Sequence, residues 1–114
     1  MKRVLVVDDE PAIRALVVAS LADASYQVAT AANGPSALAS LEADLPDLIL
    51  LDLALPGMSG KDILGSLRSN PRTAAIPVLL LTGSEPPAGA AADGVLPKPF
   101  TPAVLRDSVA TFIA

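Results

Sequence analysis

Arg3-Val4-Leu5-Val6-Val7-Asp8-Asp9-Glu10-Pro11 decides the fold. Its first five residues form a short apolar run rich in β-branched side chains, as expected of a strand buried on both faces. The run stops at three acids. Pro11 suits the first turn of a helix, with Asp9 and Glu10 favourable at its N-terminus. Ile13, Leu16, Val17, Ser20 and Leu21 follow at helical spacing and give one buried stripe.

The same punctuation recurs along the chain. Asp47 to Asp52 is the most apolar strand and is expected to be central; its run Leu48-Ile49-Leu50-Leu51 stops at Asp52. Val78-Leu79-Leu80-Leu81 stops at Thr82-Gly83, and Gly94-Val95-Leu96-Pro97 stops at Lys98-Pro99-Phe100. Tyr26 to Ala31 is less apolar and is expected nearer an edge. Between these runs, Asn33-Gly34-Pro35 opens a helix with Leu38 and Leu41 inward, closed by Leu45-Pro46. After the turn Leu55 to Gly60, a helix from about Lys61 to Arg68 buries Ile63, Leu64 and Leu67. The last helix begins near Thr101-Pro102, with a predicted stripe of Val104, Leu105, Ser108, Val109 and Phe112. Strands separated by such helices imply right-handed crossovers and a parallel sheet covered on both faces. The segment from Gly83 to Asp93 breaks the pattern. It holds Pro86-Pro87, and eleven residues are about what one average helix would use. A loop, or one or two helical turns, is predicted there.

Composition excludes several classes of function. The 114 residues suffice for one domain, expected to span residues 1–114, and 52% hydrophobic residues are too many for a disordered chain. Cysteine and histidine are both absent, which removes thiol catalysis, zinc thiolates and any imidazole base. A metal would have to be held by oxygen, which points to Mg²⁺, Mn²⁺ or Ca²⁺. A net charge of −4 without a basic cluster argues against direct nucleic-acid binding. No apolar run approaches the ~20 residues of a membrane span. The start Met1-Lys2-Arg3-Val4 is not read as a signal peptide, because Asp8-Asp9-Glu10 cuts its apolar stretch short. A cytoplasmic location is the default expectation.

In doubly wound sheets, ligands bind beyond the strand C-termini where strand order reverses. With the first and third strands adjacent there, Asp8, Asp9 and Asp52 would converge. Three such carboxylates repel one another and raise their own pKa values, and Mg²⁺ would remove the repulsion. Asp52 has a second possible role, attack on phosphorus to form an acyl phosphate. Lys98 would then neutralise phosphoryl oxygens, and Thr82 could donate its hydroxyl to one of them. Each element has a plainer reading. Asp8-Asp9-Glu10 suits a helix cap, Asp52 a turn, Thr82-Gly83 a strand exit, and Lys98 a solvated loop. The ordered set, each member at the end of its own strand, carries the argument.

On these residues the chain resembles the receiver domain of two-component response regulators. The resemblance runs through Val4 to Glu10, Pro46 to Gly60, Ile76 to Gly83 and Lys98-Pro99-Phe100. It implies a flavodoxin-like, CheY-like doubly wound sheet of five parallel strands in order 2-1-3-4-5, with the fourth helix shortened or replaced by a loop. It implies that a sensor histidine kinase or histidine phosphotransfer protein phosphorylates Asp52, and that a downstream protein effector reads the result. Asp9, Asp52 and the Ala54 carbonyl would bind Mg²⁺, with Asp8 helping through water. Lys98 would hold the phosphoryl group, Thr82 would be the switch hydroxyl, and the Lys98–Pro99 bond would be cis. Such a domain is a phosphoacceptor, not an enzyme acting on other molecules.

Two departures stand out. The family usually places Tyr or Phe three residues before the lysine, as partner of the switch threonine; here that residue is Val95. The stretch from Thr82 to Lys98 is also short. Ala54 and Ser84, at the positions that tune dephosphorylation, are neither strong bases nor amides, so a long-lived acyl phosphate is expected. Three alternatives compete. A phosphorylation-independent pseudo-receiver would suit Val95 but has no need for three adjacent acids. A phosphoaspartate hydrolase would need an acid/base beside Asp52, where Leu53 and Ala54 supply none. A flavin-phosphate binder would need a Ser/Thr/Gly-rich loop where Asp8-Asp9-Glu10 stands.

Overall fold

The computed structural model describes residues 1–22, 24–83 and 92–113. Among the described residues the elements run β1 (Arg3–Val7), α1 (Pro11–Ala22), β2 (Gln27–Ala31), α2 (Gly34–Ala43), β3 (Leu48–Asp52), α3 (Gly60–Ser69), β4 (Val78–Thr82), β5 (Gly94–Pro97) and α4 (Pro102–Ile113). All pairings are parallel, and the order is β2-β1-β3-β4-β5. This is the flavodoxin-like arrangement. β2 is indeed an edge strand and less buried than β3 and β4, which are buried at every residue.

Strand periodicity divides the core in two. Leu5, Val7, Ile49, Leu51, Val78 and Leu80 face α2 and α3, where they pack with Ala37, Leu41, Ile63, Leu64 and Leu67. Val4, Val6, Leu48, Leu50, Leu79, Leu81 and Leu96 face α1 and α4, where they meet Val17, Leu21, Leu105, Val109 and Ile113. Consecutive residues of the central strands thus serve opposite faces, which is why those strands show no polar alternation.

The last helix corrects one expectation. Its buried stripe is Leu105, Val109 and Ile113, whereas Val104 is 48% exposed. The interval of four follows one side of the helix, and Val104 lies a residue's turn away from it. Thr101 starts this helix by accepting the Val104 amide on its hydroxyl at 3.2 Å. The prediction of a loop or short helix over Gly83 to Asp93, and with it the shortened fourth helix, falls on residues 84–91, outside the described residues; so does Ser84.

Candidate functional site

β1 and β3 lie side by side in the sheet, with Val7 opposite Leu51, so Asp8 and Asp52 emerge at the same edge. Asp8 extends the sheet by one bond, its amide donating to the Ala31 carbonyl at 3.1 Å. β4 delivers Thr82 beside this pair, and β5 delivers Lys98, whose amide donates to the Thr82 carbonyl at 2.8 Å. Carboxylate oxygens of Asp8, Asp9 and Asp52 all lie within 4.8 Å of one another. The structure therefore brings together every side chain expected there: Asp8, Asp9, Asp52, Thr82 and Lys98.

Their environments differ. Asp8 is fully buried, Asp52 is 4% exposed and Thr82 is 5% exposed, while Asp9 is open to solvent. Asp8 Oδ1 accepts the Glu10 amide at 2.9 Å, and Asp8 Oδ2 accepts from Lys98 Nζ at 2.7 Å. Lys98 Nζ is also 3.6 Å from Asp52 Oδ2 and 3.8 Å from Glu10 Oε1. One lysine thus serves three carboxylates. Asp52 Oδ1 takes the Ala54 amide at 3.1 Å. The Lys98–Pro99 peptide is cis. Asp9, Asp52, Thr82 and Lys98 line a cleft of about 800 Å³, together with Glu10, Ala54, Ser59 and Lys61.

The electrostatics follow from this geometry. Burial pushes the Asp52 carboxyl above the ordinary carboxylate range. The Ala54 amide opposes that rise, the Asp8 charge adds to it, Lys98 opposes it, and Asp9 adds to it. For Lys98, burial works against its charge. The hydrogen bond that Lys98 donates to Asp8 and the charges of Asp8, Asp52 and Glu10 outweigh burial and raise its pKa.

Three contributors were not foreseen from the sequence. Glu10 was read only as a helix-dipole charge, yet it also faces Lys98. Gly60 opens α3 because a Cβ there would lie 2.4 Å from the Asp52 carbonyl oxygen and 2.7 Å from Leu53 Cα. Its amide donates to the Leu53 carbonyl at 3.2 Å, so α3 begins directly against the strand end that carries Asp52. The turn before it, expected from the sequence, uses Gly57 at φ +80°, a region that side-chain-bearing residues avoid. The Pro-Gly-x-Ser-Gly run signals this turn, but not which backbone it approaches. The third is Arg14, whose Nη1 donates to the Asp8 carbonyl at 2.8 Å.

A chain with this sheet order and this acid–hydroxyl–lysine edge has the form of a phosphoacceptor module. It belongs to the response regulator receiver domain family, whose sequence model matches residues 4–110. Among curated proteins it is 49% identical over 80 residues to the response regulator PleD of Caulobacter vibrioides, covering 70% of this chain and 18% of that protein. Its fold matches that of the chemotaxis response regulator CheY4 of Vibrio cholerae at a TM-score of 0.93, with 34% identity and 99% of both chains covered. It also matches the response regulator TrrA of Thermotoga maritima, solved in complex with Mg²⁺-BeF. There the TM-score is 0.88, with 35% identity over 99% of this chain and 100% of that one. The chain spans less than half the length of the first curated relatives it matches. Several are named as transcriptional regulators, so the expectation of no direct nucleic-acid binding finds no support. No helix among the described residues is long and apolar enough to cross a membrane.

Proposed function

We propose that this domain accepts a phosphoryl group on Asp52 from a phosphohistidine of a sensor kinase or phosphotransfer protein, in the cytoplasm, and passes the signal to a protein effector. The observation that carries this reading is the convergence of Asp8, Asp9 and Asp52 with one partly buried lysine at a single sheet edge. A three-acid, one-lysine cluster holds excess negative charge, which suits a hard divalent cation better than a structural ion pair. The donor set fits Mg²⁺: Asp9, Asp52 and the Ala54 carbonyl would hold it, with Asp8 bridging through water. Bound there, Mg²⁺ would screen the carboxylates from the incoming phosphoryl oxygens.

The chain's own residues supply the rest. The Ala54 amide fixes Asp52 Oδ1. An Asp52 oxygen attacks phosphorus, a P–O bond forms, the P–N bond to the donor imidazole breaks, and the electron pair leaves with that nitrogen. Lys98, 3.6 Å from Asp52 Oδ2, turns from Asp8 toward the phosphoryl oxygens. Thr82 donates its hydroxyl to another of them. Ala54 offers no side chain to orient an attacking water, so the acyl phosphate is long-lived; loss of phosphate from the purified protein within seconds would contradict this. The domain is thus a self-modifying acceptor and not an enzyme for other substrates.

The pseudo-receiver alternative keeps one observation in its favour. Val95 is 40% exposed on β5, and the aromatic partner of the switch threonine is absent. The test for both is intact mass after incubation with Mg²⁺ and acetyl phosphate. A gain of one phosphoryl group, lost in Asp52→Asn, is expected. A folded protein that gains no mass from acetyl phosphate or from phosphorylated kinase is a pseudo-receiver.

A further inference from the structure

We propose that Arg14 is a positioning residue that holds the Asp8-Asp9 turn in the narrow geometry a small divalent cation demands. The inference rests on the acid cluster being a Mg²⁺ site. Asp8 is tied at four points: its amide to the Ala31 carbonyl, Oδ1 to the Glu10 amide, Oδ2 to Lys98, and its carbonyl to Arg14 Nη1 at 2.8 Å. The first three engage the strand and the side chain. Only the fourth grips the peptide linking Asp8 to Asp9, which sets where the Asp9 carboxylate points. Asp9 is exposed, and no hydrogen bond or ion pair engages its carboxylate among the described residues. Its position therefore depends on the backbone behind it.

Arg14 is well placed to hold that backbone. It stands one turn into α1, and its own amide donates to the Glu10 carbonyl at 3.2 Å, so its stem is anchored on the helix that follows the acids. The side chain reaches back across the first turn to the end of β1. It ties the helix to the strand on either side of the acid turn while pairing with no carboxylate among the described residues. The ion's chemistry gives this a specific consequence. Mg²⁺ demands a near-ideal octahedron and short bonds, whereas Ca²⁺ accepts six to eight ligands in flexible geometry. A slack Asp8-Asp9 turn should therefore harm Mg²⁺ binding more than Ca²⁺ binding. Outer partners that orient metal ligands are typically worth 10–100-fold in affinity.

The experiment is isothermal titration of Mg²⁺ and of Ca²⁺ into wild type, Arg14→Ala and Arg14→Lys, with melting in EDTA as the fold control. Arg14→Ala is expected to lose about tenfold in Mg²⁺ affinity and under about threefold for Ca²⁺. Arg14→Lys should restore Mg²⁺ binding to within about threefold, since a single ammonium donor suffices for one carbonyl. If Arg14→Ala does not fold, Arg14→Gln, which keeps a donor without charge, is titrated instead and should fall between wild type and the loss expected for Arg14→Ala. An unchanged Mg²⁺ affinity in the folded variant overturns the inference and leaves the Mg²⁺ site standing. Equal losses for both ions overturn it too, because the turn would then impose no geometric preference for Mg²⁺; so does no rescue by lysine, because a donor to the Asp8 carbonyl would then not be what Arg14 supplies. A wild type that binds no Mg²⁺ overturns the site and the inference together.

Discussion

The two edges of the sheet use the same residue types in opposite ways. At the N-terminal edge, Asp47 immediately precedes β3 and accepts the Arg3 amide of β1 on Oδ2 at 2.8 Å. Asp93 immediately precedes β5 and does the same for Val78, the first residue of β4, also at 2.8 Å. Each acid closes the start of a neighbouring strand. Arginines complete the arrangement: Arg68 donates to Asp93 and to the carbonyls of Ala74 and Ile76, and Arg3 pairs with Asp44. At the C-terminal edge, Asp8, Asp52 and Glu10 share one lysine, and the most buried of them takes most of it. The first edge is built so that each acid has its own donor. The second keeps an unbalanced charge, as expected where function overrides local consistency.

The largest effect that sharpens this contrast comes from the cation. Mg²⁺ at a hundredfold excess over its Kd should stabilise the wild type by about 2.7 kcal/mol. For a chain of this size that is a rise in Tm of roughly 10 °C. Asp9→Asn should lose most of the rise, whereas Asp44→Asn at the other edge should keep it. Thermal melting with and without Mg²⁺ decides; an equal response in both variants would remove the distinction between the edges.

The second effect lies wholly at the N-terminal edge. Asp93→Ala leaves the Val78 amide without its acceptor and removes one carboxylate from Arg68. A loss of about 2 kcal/mol is expected, the usual range for a hydrogen bond to a charged group. Asp93→Asn, which keeps an acceptor oxygen, should lose less than half of that. Neither change should depend on Mg²⁺. Urea melts of the three proteins measure it, and a Mg²⁺-dependent difference would show that the edges are coupled.

Much of the C-terminal edge was legible because chain order and chemistry coincide there. Each apolar run ends in its functional group, and a parallel sheet sends all such ends to one side. The N-terminal edge was not legible. Arg68 and Asp93 are 25 residues apart, and nothing in their local sequence says that they meet. Arg14 was hidden for a related reason: its partner is a backbone carbonyl, which carries no residue code. In α4, Val104 was misread as inward and Ile113 was missed, because both fit a helical period. Only the seat of the helix on the sheet chooses between them. Gly60 was visible as part of a turn, but the close approach to Asp52 that demands glycine appears only once α3 is docked.

The smallest effect tests the charge imbalance itself. The Asp52 carboxyl has a folded-state pKa raised above its ordinary value of 3.8, first by burial and then by Asp8 and Asp9 against the pull of Ala54 and Lys98. The folded state therefore holds this proton more tightly than the unfolded chain does, and the linkage slope is negative. Without Mg²⁺, Asp52 costs no stability below about pH 3.8, where both states are protonated. Its cost grows as pH rises through the interval up to the raised folded value, and is complete above it. Asp52→Asn removes the titrating group while keeping the acceptor for the Ala54 amide. In EDTA at neutral pH the variant should melt a few degrees above the wild type, and the two curves should converge in acid. With saturating Mg²⁺ the order should reverse, because only the wild type then gains from the cation. If the variant is the less stable protein in EDTA at neutral pH, the single lysine already balances the three acids, and the two edges differ in geometry but not in charge.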